Sequence, residues 1–115
     1  MSWGYHLILD CKGCDLASIN SKPHIAEFIK TLIKRVDMVA HGDPQIEFLL
    51  PGTTNEGFSV LQMITTSNIT AHFVNSTQEG YIDLFSCKQF NQTVAIETVK
   101  EYFLPGSIKV NYLER

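Results

Sequence analysis

The sequence predicts an α+β fold, a largely antiparallel sheet with two helices packed on one face, and three observations carry that prediction. Two segments space their apolar residues three and four apart, which lays a stripe along one side of a helix. Six other segments are short, rich in aliphatic and aromatic residues and bounded by polar, Gly or Pro stretches, as strands are. Their order, β-α-β-β-β-β-α-β, places four strands in succession, and such runs favour antiparallel pairing over parallel crossovers.

"WGYHLILD" reads as the opening strand, bounded by "CKGCD". Ser21 and Pro23 give a helix-start signal, after which Ile25, Phe28, Ile29, Leu32, Ile33 and Val36 share one face. "HGDP" breaks the pattern and "QIEFLLP" reads as a strand, with "GTTNEG" as the connection into "FSVLQMITT". "NITAHFV" and "YIDLFSC" are two further strands separated by the polar turn "NSTQEG". Asn91 can cap a second helix in which Ala95, Ile96, Val99, Tyr102 and Phe103 align before "PG" ends it. "SIKVNYL" then alternates as the last strand.

Composition narrows the class of protein. A chain of 115 residues with 44% hydrophobic content suits one globular domain, 1–115. The net charge of −3 and nine scattered basic residues give no footprint for nucleic acid or an anionic membrane. No apolar run approaches the roughly 18 residues of a membrane span, and the N-terminus lacks a basic leader, so a cytoplasmic protein is expected. Two helices cover only one sheet face. The bare face or an edge is therefore expected to meet a second copy, giving a homodimer.

Three cysteines, Cys11, Cys14 and Cys87, read as thiols, because an odd number without an export signal argues against a disulfide framework. Cys11-Lys12-Gly13-Cys14 has the spacing of half a zinc ribbon or of a redox pair, but no second ligand pair stands at a familiar distance, so no metal is expected.

The segment "ITTSNITAHF" is unusual for a strand region, since it carries hydroxyls at Thr65, Thr66, Ser67 and Thr70 and then His72. Buried hydroxyls cost free energy unless each finds a partner, so either one strand face is polar or chemistry occurs there. Thr70 and His72 alternate onto one face, and Ser67 falls near a turn. If the neighbouring strands are antiparallel, Ser59, Ser67, His72 and Cys87 could converge as nucleophile, base and thiol acid. Cys87 alone reads equally well as a small buried hydrophobe.

Taken together, "WGYHLILDCKGCD", "FLLPGTTNEGFS", "TSNITAHF" and "YIDLFSC" resemble, in order and spacing, motifs of the S-adenosylmethionine decarboxylases of the short, pyruvoyl-dependent prokaryotic form. The resemblance implies a zymogen that cuts itself between Thr66 and Ser67 and needs no external cofactor. Ser67 would attack the Thr66 carbonyl, Ser59 would assist, and His72 would be the processing base that leaves a pyruvoyl group at residue 67. That group would form a Schiff base with the substrate, Cys87 would be the general acid, and Asp10 and Phe48 would line the substrate site. The implied role is polyamine biosynthesis, supplying aminopropyl groups for spermidine. Three positions depart from the family pattern: Thr66 stands for glutamate, Asn68 for histidine, and Ser76 for the glutamate that grips the ribose hydroxyls. Glu79 is the nearby carboxylate that could compensate. These departures leave two other readings open, a pyruvoyl-dependent decarboxylase of ornithine or arginine and an unprocessed homologue acting as a binding or regulatory subunit.

Overall fold

The computed structural model describes residues 2–115. Its elements are β1 (Tyr5–Lys12), α1 (Leu16–Ile19), α2 (Lys22–Arg35), β2 (Gln45–Leu49), β3 (Gly57–Ile64), β4 (Ser67–Val74), β5 (Glu79–Ser86), α3 (Gln92–Phe103) and β6 (Ser107–Glu114). The six strands form one sheet in the order β2-β3-β4-β5-β1-β6, with every pair antiparallel. The expected order of strands and long helices is found. One element is added, the four-residue α1, which Asp15 caps by accepting from the Ser18 amide at 3.1 Å and the Ser18 hydroxyl at 2.7 Å. The first strand also runs two residues past Asp10.

Local chemistry sets the ends of both long helices. Ser21 caps α2 through the His24 amide, and Pro23 lies in the first turn, where a missing N–H costs nothing. Asn91 caps α3 through the Val94 amide at 3.1 Å. Leu104, not the glycine of "PG", takes the left-handed closing conformation, with φ 48°.

Alternation divides the sheet into two faces. Leu7, Leu9, Val60, Ile69, Phe73, Ile82 and Leu84 point at the helices and are buried. They pack on Ile25, Phe28, Ile29 and Leu32 of α2 and on Ala95, Val99 and Phe103 of α3. Phe103 joins the layers, with its ring 4.7 Å from that of Phe28 and 4.8 Å from that of Phe73. The opposite face carries Ser59, His72, Tyr81, Asp10, Asp83 and His6, and no element among the described residues covers it. No helix among the described residues is long and apolar enough to cross a membrane.

Candidate active site

Register places the candidate residues. Ser59 on β3 faces His72 on β4, His72 faces Tyr81 on β5, Tyr81 faces Asp10 on β1, and Asp10 faces Lys109 on β6. These residues form one row across the open face. The Ser59 hydroxyl lies 2.5 Å from His72 Nδ1, and His72 Nε2 lies 3.4 Å from the Asn55 carbonyl oxygen. A carbonyl can only accept, so this arrangement puts the imidazole proton on Nε2 and leaves Nδ1 as the acceptor for the serine O–H. His72 is thus held between a hydroxyl on one side and a loop carbonyl on the other. The Asn55 contact is not visible in sequence, because the loop after β2 must fold back to make it.

Ser67 lies elsewhere. It is the first residue of β4, opposite both Ile64 on β3 and Ser86 on β5, after a two-residue turn, Thr65-Thr66. The turn is tied on both sides: the Thr65 amide donates to the Val39 carbonyl at 2.9 Å, and the Cys87 amide donates to the Thr66 carbonyl at 3.0 Å. That second bond puts Cys87, which is exposed, beside the peptide preceding Ser67.

The expectation that Ser59, Ser67, His72 and Cys87 converge within one chain is corrected here. Ser67 and His72 are five steps apart along one strand, about 17 Å at the rise of an extended chain. Antiparallel pairing brings together residues on neighbouring strands but cannot shorten a strand. The chain therefore holds two separate groups, the Ser59–His72 pair on the open face and Ser67 with Cys87 at the end of β4 and β5.

The three substrate-binding candidates are dispersed as well. Asp10 shares the row of His72, with Tyr81 between them, and lines an open depression of about 510 Å³ together with Lys12, Glu79 and Lys109. Phe48 pairs with Phe58 on the helix-bearing side, its ring 5.1 Å from that of Phe58 and edge-on, so it does not share the face of His72; Leu49 next to it does. Ser76 donates to the Thr54 carbonyl at 2.5 Å, which ties the turn after β4 to the loop after β2. Glu79 accepts from Thr77 at 2.6 Å and from Tyr81 at 3.0 Å, and these hydroxyls hold its carboxyl below the usual range.

Cys11 and Cys14 are both buried. The neighbouring Cys14 thiol, followed by burial, pushes Cys11 far above the ordinary thiol range. No cluster of three or more His, Cys, Asp or Glu side chains placed to hold a metal occurs among the described residues.

A six-stranded antiparallel sheet with helices on one face, and serine, histidine and cysteine side chains on and beside its strands, defines an α+β class of protein. The chain belongs to the S-adenosylmethionine decarboxylase family, whose model matches residues 5–115. It is 26% identical over 113 residues to an S-adenosylmethionine decarboxylase proenzyme of Clostridium botulinum strain Langeland, covering 97% of this chain and 93% of the relative. The proenzyme of strain Loch Maree is 28% identical over 99 residues, covering 85% and 81%. In fold it is similar to the adenosylmethionine decarboxylase of Aquifex aeolicus VF5, with a TM-score of 0.85 over 99% of this chain and 91% of that one at 18% identity.

Proposed function

We propose that the chain is a self-processing S-adenosylmethionine decarboxylase whose catalytic carbonyl is a pyruvoyl group made from Ser67. The observation that carries this reading is the bond from the Cys87 amide to the Thr66 carbonyl. It aims a fixed donor at the oxygen that gains charge when the Ser67 hydroxyl attacks the adjoining carbon.

The residues around Ser67 fit the group. Cleavage before Ser67 makes it the first residue of a new chain, the only place a pyruvoyl group can stand, and β5 holds that residue through the pairing with Ser86. When formed, the pyruvoyl group supplies an electrophile that draws electrons from the bond to the departing carboxylate. Cys87, adjacent in register, is placed to return a proton to the substrate carbon. Ser59 keeps the Nδ1 face of His72 oriented, and His72 takes the proton from residue 67 that allows the N-terminal fragment to leave.

Within one chain His72 cannot reach residue 67, and this supports a homodimer with shared sites. Two copies stacked through their open faces, related by a two-fold axis near Thr70 that reverses β4, lay the Ser59–His72 pair of each over the strand end that carries the Thr66–Ser67 peptide and Cys87 in the other. Exposed Leu61, Met63 and Leu113 lie on that face and would be covered.

A second reading of the substrate rests on Ser76. Its hydroxyl is committed to the Thr54 carbonyl and offers no carboxylate to a ribose, which favours an amino acid without a nucleoside, such as ornithine or arginine. Release of carbon dioxide from each of the three carboxyl-labelled compounds separates these substrates.

The test of the machinery is an intact-mass spectrum of the purified protein under denaturing conditions. Fragments 1–66 and 67–115, the latter with pyruvoyl at its start, are expected. A single uncut chain that releases no carbon dioxide from any of these substrates would instead mark a binding or regulatory subunit.

A further inference from the structure

We infer that Ser86 is a positioning residue for self-cleavage, its buried hydroxyl holding Thr66 in line with the Cys87 amide. The inference rests on the self-cleavage proposed above and deepens it.

Ser86 is fully buried, and it follows Ile82 and Leu84 on the side of β5 that faces the helices, where the alternation calls for an apolar residue. Its oxygen accepts from the Lys88 amide at 3.0 Å, and its proton goes to the Thr66 hydroxyl at 2.8 Å. The Thr66 hydroxyl in turn donates to the Met38 sulfur at 3.3 Å. The relay has one direction. An amide N–H can only donate and a thioether only accepts, so both hydroxyls between them have fixed rotors. Residue 66 is thereby held at two points from the Ser86–Lys88 segment, by its side chain through Ser86 and by its carbonyl through the Cys87 amide.

Such a hold matters for the acyl shift. The Ser67 oxygen bonds to the Thr66 carbonyl carbon as the hydroxyl gives up its proton. The Thr66–Ser67 C–N bond then breaks, and the departing nitrogen takes a proton to leave an ester and a free amine. Between these events the Thr66 oxygen carries negative charge, and the Cys87 amide stabilises it only while residue 66 stays in place. A displacement of about 1 Å at a reacting group can lower a rate by ~10²-fold.

Hydroxylamine cleaves esters and leaves ordinary peptide bonds whole, so it reads the first step separately from the elimination that follows. The wild-type chain, Ser86→Ala, Ser86→Thr and Thr66→Val are each translated in a short pulse. Cleavage is then followed on denaturing gels with and without hydroxylamine, and thermal melting is recorded for each. Ser86→Ala is expected to cleave ten- to a hundredfold more slowly in both conditions at a melting temperature close to that of the wild type, because the ester itself forms slowly. Ser86→Thr restores the rate. Thr66→Val, which removes the accepting hydroxyl and keeps the shape, is slowed to a similar degree, and it decides the matter on the same readout if Ser86→Ala does not fold. Wild-type cleavage by the variants, or an ester that accumulates at the wild-type rate and is released by hydroxylamine, overturns the role of Ser86. A wild-type chain that stays whole in both conditions overturns self-cleavage itself, and the role of Ser86 falls with it.

Discussion

Residue 66 contributes to the candidate site through its carbonyl and residue 67 through its side chain, and their surroundings differ accordingly. The Thr66 carbonyl has a dedicated amide donor, whereas the Ser67 hydroxyl has no hydrogen-bond partner among the described residues. Ser67→Ala removes the proposed nucleophile, so the chain is expected to stay whole by mass and to release no carbon dioxide. Cys87→Ala leaves the backbone amide in place, so cleavage should continue while turnover falls by about 10²- to 10⁴-fold, the range for loss of a general acid. An assay that finds cleavage abolished and turnover unchanged by Cys87→Ala would reverse the roles assigned to its amide and thiol. Hydroxyls were the visible signal in this part of the sequence, but Ser86 was missed. Its place after Ile82 and Leu84 could have marked it, since a hydroxyl at a buried strand position needs partners.

The β3–β4 hairpin carries the Ser59–His72 pair, and its register depends on a close approach at Gly57. A Cβ on Gly57 would lie 1.7 Å from the Phe73 carbonyl oxygen, which is backbone and cannot move aside. Gly57→Ala should therefore cost about 3 kcal/mol in denaturant unfolding, the upper part of the range for overpacking. A cost under about 0.5 kcal/mol, the scale of a neutral surface change, would mean the hairpin ends are not packed as described. The elements were legible in sequence because their signals are local. The stripe of Ile25, Phe28, Ile29, Leu32 and Ile33, the caps Ser21 and Asn91, and the turns at 75–78 each lie within a few residues of what they determine. Helix α1 escaped because four residues with Leu16 exposed make no stripe. The site was legible as residue types and not as geometry. Ser67 and His72 look close because they stand only five positions apart, yet an extended strand turns that spacing into distance.

For the molecule as a whole, the open face explains both the exposed apolar side chains and the divided site. A sheet with helices on one side leaves Leu61 and Met63 in water, and in the proposed dimer a second copy would relieve that exposure while completing each site. Two inactive variants should then rescue each other. Ser67→Ala lacks the serine but keeps its Ser59–His72 pair, and His72→Ala lacks the base but keeps its Ser67. The most direct measurement is an intact-mass spectrum, under denaturing conditions, of the two variants produced together and of each produced alone. Two uncut chains are expected when they are made apart and, when they are made together, cleavage before Ser67 in the His72→Ala chain only. Cleavage of His72→Ala made alone, or no cleavage in the mixture while the wild-type chain is cut, would contradict it.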